Sequence, residues 1–230
     1  MNPVRPIFSR RSRVAELLNV VCLLLGPVAY AAAPSNTVQV RVEAPRMESQ
    51  SFPAGQPPAH LKSLGGLEAG FCRTEISCGV RLEAESVRSP GTAATATVTS
   101  VAFTVGANIT ISVEEGAPPE ILRHEEAHRA ISLHYYDLAY AVARRLGERT
   151  LGRKLSLPGP PSDSTLEGAL RNLQPQLIAE FNREVYDRSE FAQNRFDAIT
   201  DHSRKNIPND VAMARALREE EEHWQASAGQ

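Results

Sequence analysis

The segment His124-Glu125-Glu126-Ala127-His128 constrains this chain more than any other, because its side chains can act together only on a helix. At about 100° per residue, positions four apart fall within roughly 40° of each other, so both imidazoles can reach one metal ion. Glu125 follows the first histidine and points to the side of such an ion, where it could take a proton from a zinc-activated water. The flanks agree with a helix. Pro118 and Pro119 suit a first turn, Glu120 suits the positive end of the dipole, and neither glycine nor proline recurs before Gly147. The plain alternative is an exposed, charged helix on which two histidines happen to lie four apart. Ile121, Leu122, Ile131, Leu138 and Val142 argue for a core helix instead. A buried histidine pair beside carboxylates is costly unless something such as a metal satisfies it.

The rest of the chain suits one domain behind an export leader. A basic run (Arg5, Arg10, Arg11, Arg13) precedes the apolar stretch Leu17 to Leu25, and small residues follow in Ala29-Tyr30-Ala31-Ala32-Ala33. That pattern predicts a cleaved signal peptide over residues 1–33 and a periplasmic or secreted bacterial product. The apolar run is too short for a comfortable membrane span, so the processed chain is not expected to be an integral membrane protein. Losing the leader removes four arginines and Glu16, which takes the formal charge from −2 to −5. A near-neutral to acidic chain gives no reason to expect nucleic acid.

Cys72 and Cys78 would remain, and two close cysteines in an exported chain read as one disulfide closing a short loop. Thr37 to Val42 alternates as a strand. Residues 45–60, rich in proline, read as an exposed connector, so that 34–65 forms an N-terminal strand and linker and 66–230 the functional domain. Val80-Arg81-Leu82 suggests a short strand. Thr95 to Val105, a turn at Gly106-Ala107-Asn108, and Ile109 to Val113 suggest an antiparallel hairpin. After Pro118 the pattern is helical: the motif helix to about Leu146, a second helix capped by Asp163 or Ser164 with Glu167 and bent at Pro175, and a third from Asn209 or Asp210. The run Glu219 to Glu222 reads as a solvated face. The expected class is α+β, a small antiparallel sheet followed by packed long helices.

Two histidines and a water leave room for a third protein ligand. His134 has the spacing of a longer zinc motif, but Ile131 stands where glycine would break the helix, so His134 should face away from His128. Glu180 and Glu184, one turn apart on the second helix, are another option. His202 is a third, with Asp197 or Asp201 able to hold its tautomer.

The pairing of the His124–His128 motif with Phe196-Asp197-Ala198-Ile199-Thr200-Asp201-His202-Ser203 resembles a family of bacterial secreted zinc-dependent proteases, catalogued mainly as a domain of unknown function. The likeness would cover about residues 70–226, including a C-terminal tryptophan, here Trp224. Phe196 replaces the usual tyrosine and Ser203 the usual glycine. The resemblance implies a zincin-like fold, a Zn²⁺ cofactor, and His202 as third ligand beside His124 and His128. It also implies hydrolysis of peptide or protein substrates, with Glu125 as general base.

The same centre could serve a cell-wall peptide or amide hydrolase. A non-catalytic exported zinc protein would have no need of Glu125, and a metal-free docking module would need none of the motif. Tyr135, Tyr186 and His134 are candidate donors to an oxyanion. Ile109 to Val113 is a candidate strand for pairing with an extended substrate.

Overall fold

A computed structural model describes residues 36–58, 69–87, 94–158 and 162–228, all within one compact unit, Pro34–Gln230. The predicted leader lies outside the described residues. The elements are β1 (Thr37–Val42), β2 (Arg46–Phe52), β3 (Gly70–Val87), β4 (Thr95–Glu114), α1 (Pro119–Thr150), β5 (Lys154–Ser156), α2 (Asp163–Thr200) and α3 (Asn209–Ala228). The architecture is therefore mixed α and β, with four of the five strands before the long helices and β5 between the first two. No helix among the described residues is long and apolar enough to cross a membrane.

Strand β4 organises the sheet. β3 runs antiparallel along it from Val113 back to Thr95, and three short strands share its other edge. Of these, β5 is antiparallel at Thr95–Thr97, β1 parallel at Ser100–Val105 and β2 parallel at Asn108–Glu114. The sheet is thus mixed, where an antiparallel one was expected. The expected hairpin is also corrected. Residues 106–108 do not turn, because Gly106 pairs with Ser77 inside a strand that runs straight through them. The return strand is β3, built of alternating residues that bury Cys72, Thr74, Ile76, Cys78, Val80 and Leu82 to varying degrees and expose Arg73, Glu75 and Ser77. Residues 46–52 are strand rather than connector, so the N-terminal segment belongs to the same sheet.

One irregularity sets which side chains face the helices. The pairing jumps from Glu83↔Ser100 to Ala84↔Val98, leaving Thr99 as an extra residue on β4. Before it Ala96 and Val98 are buried; after it Val101, Phe103, Val105, Ala107, Ile109 and Ile111 are. The parity changes at the bulge, and one continuous apolar face results.

Helix α1 lies on that face. Pro118 is extended and Pro119 starts the helix, which runs past Gly147 to Thr150. Gly147 is not a terminator: a Cβ there would stand 2.4 Å from Val38 Cγ1, so the glycine lets β1 lie against the helix. The left-handed residue after the helix is Gly152, at φ 77°. Helix α2 is capped by Ser162 with Thr165 in a reciprocal box, one residue before the predicted cap, and passes through Pro175 without interruption. The core unites the β4 face with Ile131, Tyr135 and Leu146 of α1, Leu177, Phe181 and Phe196 of α2, and Ala212 and Ala216 of α3. Leu122 and Leu138, expected in the core, are exposed.

Candidate metal centre

The motif behaves as its spacing predicts. His124, Glu125 and His128 are all buried on α1, with the imidazole rings 4.8 Å apart and nearly perpendicular. Their Nε2 atoms are 3.2 Å from each other. Helix α2 closes the group with two adjacent residues. Phe196, fully buried, stacks on the His124 ring at 4.8 Å and meets the His128 ring edge-on at 5.1 Å. Asp197 Oδ1 lies 3.0 Å from His124 Nε2 and 2.9 Å from His128 Nε2.

Three potential ligand atoms thus form a small triangle. Tetrahedral coordination at 2.0–2.1 Å puts ligand atoms about 3.3–3.4 Å apart, so a few tenths of an ångström of expansion would admit an ion. His124, His128 and Asp197 could hold a metal ion. The chemistry of the donor set fits a borderline cation such as zinc, two imidazoles and one carboxylate. Both outer nitrogens, His124 Nδ1 and His128 Nδ1, are buried without a hydrogen-bond partner among the described residues.

The electrostatics of the cluster agree. Burial works to raise the Asp197 carboxyl, but the hydrogen bonds and charges of His124 and His128 outweigh it and hold Asp197 far below the usual carboxylate range. Burial works to lower His128, and is outweighed by Asp197, with help from the Glu125 charge and the Gln193 side chain, so its pKa is raised. Each partner stabilises the charged form of the other.

Glu125 stands against the start of β3. A Cβ on Gly70 would lie 2.9 Å from Glu125 Oε1 and 2.4 Å from Ile121 Cγ2. Only glycine lets the strand approach the helix there. The histidines, Glu125 and Asp197 line a cleft of about 960 Å³ whose walls are the 69–76 end of β3, the 186–197 stretch of α2 and the turn at 202–204.

The other expected site residues fall as follows. The third group of the triangle is Asp197, and His202 stands beside it. Asp201, His202 and Ser203 all have positive φ (50°, 51° and 69°), a left-handed turn that leaves the His202 side chain about half exposed. Its Nδ1 is 3.7 Å from Asp197 Oδ1, at the rim of the cluster. Glu180 and Glu184 pair with Arg149 and Arg145, near the far end of α1. His134 is exposed on an unbroken helix, edge-on to Tyr135. Tyr135 donates to Glu220 Oε2 at 2.8 Å and is buried, which removes it as an oxyanion donor. Tyr186 does line the cleft, but eleven residues before Asp197 on one helix, about 16 Å along the axis.

The disulfide is also corrected. Cys72 and Cys78 are free thiols on one straight strand, about 20 Å apart at 3.3 Å per residue, whereas a disulfide needs Cα atoms within about 7 Å. The substrate-strand assignment shifts as well, since β2 and β3 occupy both edges of β4 at residues 109–113. β3 borders the cleft, and among the described residues it pairs with β4 alone.

Sequence reasoning missed Gly70 and the place of Asp197 against both imidazoles. The first has no signal in one sequence; the second was visible only as an acidic residue near a histidine. No protein-family model, curated protein or solved structure matches this chain.

Proposed function

We propose that this protein is an exported zinc-dependent hydrolase that cleaves peptide bonds, with a zincin-like arrangement of motif helix and cleft. The observation that carries the reading is the convergence of His124 Nε2, His128 Nε2 and Asp197 Oδ1 at the floor of a cleft, with the buried Glu125 carboxylate one residue from the first of them. A zinc ion held there supplies Lewis acidity and makes water a nucleophile at neutral pH.

Glu125 accepts the proton of the attacking water and passes it to the departing nitrogen. Phe196 keeps bulk water from the back of both imidazoles. The edge of β3 that pairs with no other strand among the described residues offers main-chain donors and acceptors to an extended peptide, which favours peptides over compact substrates. The leader-like residues 1–33 support export, and the resemblance to secreted zinc proteases supports both the reaction and the metal.

The test combines elemental analysis with a peptidase assay. Protein purified without added metal or a metal-binding tag should carry about one zinc per chain. Glu125→Gln should keep that zinc while losing hydrolysis by about 10²–10⁴-fold. Activity that survives the substitution, or a chain that takes up no zinc on reconstitution, overturns the proposal.

A further inference from the structure

Resting on the peptidase reading, we propose that Thr74 and Ser132 are positioning residues, a hydroxyl pin that holds the cleft edge of β3 in fixed register with the motif helix. Strand β3 meets α1 at both ends of a short stretch of the cleft wall. At Gly70 the approach is close enough to bar a side chain, with Ile121 and Glu125 opposite. Four residues on, Thr74 Oγ1 lies 2.7 Å from Ser132 Oγ. Gly70, Cys72 and Thr74 share the inward side of the strand, whereas Arg73 and Glu75 are exposed on the other.

The direction of the hydrogen bonds follows from the helix. Ser132 Oγ donates to the His128 carbonyl at 3.0 Å, one turn back on α1. A serine hydroxyl has one proton, so Thr74 is the donor to Ser132. The chain from Thr74 through Ser132 to His128 therefore runs from the cleft wall into the turn that carries a candidate ligand. Ser132 is fully buried, where no water competes for its lone pairs, and Thr74 lines the cleft. Packing alone, as at Gly70, lets a strand slide along a helix, whereas a directional bond at a second point does not. Gly70 and Thr74 are about 13 Å apart on an extended strand, the reach of four substrate residues. A peptide laid on that edge takes its position from β3, while Glu125 and the candidate ligands take theirs from α1 and α2. The pin makes the two agree.

The experiment is steady-state kinetics on a quenched-fluorescent decapeptide, chosen from a mixed library by wild-type cleavage, with zinc content measured on each protein. The variants are Thr74→Val, Thr74→Ser and Ser132→Ala. Valine keeps the branched shape and removes the donor; serine keeps the donor. Thr74→Val should lose about 10–100-fold in kcat with KM and zinc content unchanged, because the peptide still binds but its scissile bond is displaced from Glu125. Ser132→Ala should do the same from the other side of the bond, and it is read alone should Thr74→Val fail to fold. Thr74→Ser should restore the wild-type kcat. A variant without the pin that keeps the wild-type kcat overturns the inference, as does a loss that Thr74→Ser shares or one that tracks lost zinc. Wild type that cleaves nothing in the library overturns the peptidase reading and this inference together, whereas the preceding outcomes leave that reading standing.

Discussion

Gly70 brings β3 to within contact of the motif helix, and its hydrogen is the only side chain the space admits. Gly70→Ala pushes on Ile121 and Glu125, not on the candidate ligand atoms of His124, His128 and Asp197. It should cost about 1–3 kcal/mol in chemical denaturation and reduce hydrolysis far more than zinc affinity. Ser203 carries the opposite expectation. Its φ of 69° suits glycine, and its Oγ is buried without a partner among the described residues. Ser203→Gly should stabilise the fold by about 1 kcal/mol, measured by urea midpoint, because strain and an unsatisfied hydroxyl both leave. The histidines and Glu125 were legible because one helix fixes their relation over five residues. Asp197 was not: whether it or His202 reaches the centre depends on how α2 ends. There the left-handed turn carries His202 to the rim while Asp197, still helical, faces inward.

At the scale of elements, long strands and buried charges govern what a sequence reading can recover. Short strands around Val80 and Ile109 were visible as apolar alternation, but nothing local says that each belongs to a strand of 18 or 20 residues. That continuity is what separates the cysteines. Burial pushes the Cys72 thiol up to about 12, helped by the Glu125 charge, and burial alone does the same for Cys78. Folding thus favours the protonated thiols. Their stabilising effect is complete below pH 9.0 and is lost as the pH rises toward about 12. In protein lacking residues 1–33, a disulfide-exchange reagent at pH 8 should find two thiols, slow when folded and fast in denaturant. The glutamate run was misread for a different reason. Four consecutive helical residues span about 300° of arc, so a packed α3 must turn one of them inward. That residue is Glu220, almost fully buried, where it receives the Tyr135 hydroxyl at 2.8 Å and the Arg188 guanidinium at 2.6 Å and 2.8 Å. Glu220→Ala leaves a mostly buried guanidinium and a phenol uncompensated, and should cost about 3–5 kcal/mol in equilibrium unfolding.

For the molecule as a whole, the candidate metal site joins residues about 70 apart in sequence, on two helices whose packing also closes the core. An ion bound to the folded state alone stabilises it by mass action. With free zinc at a hundredfold its dissociation constant, the gain is about 2.7 kcal/mol. For a chain of this size that raises the melting temperature by roughly 5–10 °C, reversed by a chelator, and the shift should vanish in His128→Ala. The general order of the fold, extended segments before long helices, was readable from periodicity alone. The topology was not, because parallel pairing of β1 and β2 to one edge of β4 leaves no turn residues to announce it.

Strand β4 also carries a phase. Side chains alternate with period two, and Thr99 is the one place where the count slips, so that even positions face the helices before it and odd positions after it. Removing Thr99 would bring Val98 and Val101 from three residues apart to two, so the pairing with β3 would run without a slip and the apolar face would keep its side. Removing one residue anywhere else in the strand would instead turn the stretch between that point and the slip to the wrong side. A change of one residue in length is therefore absorbed at the slip itself, and elsewhere in the strand only in pairs.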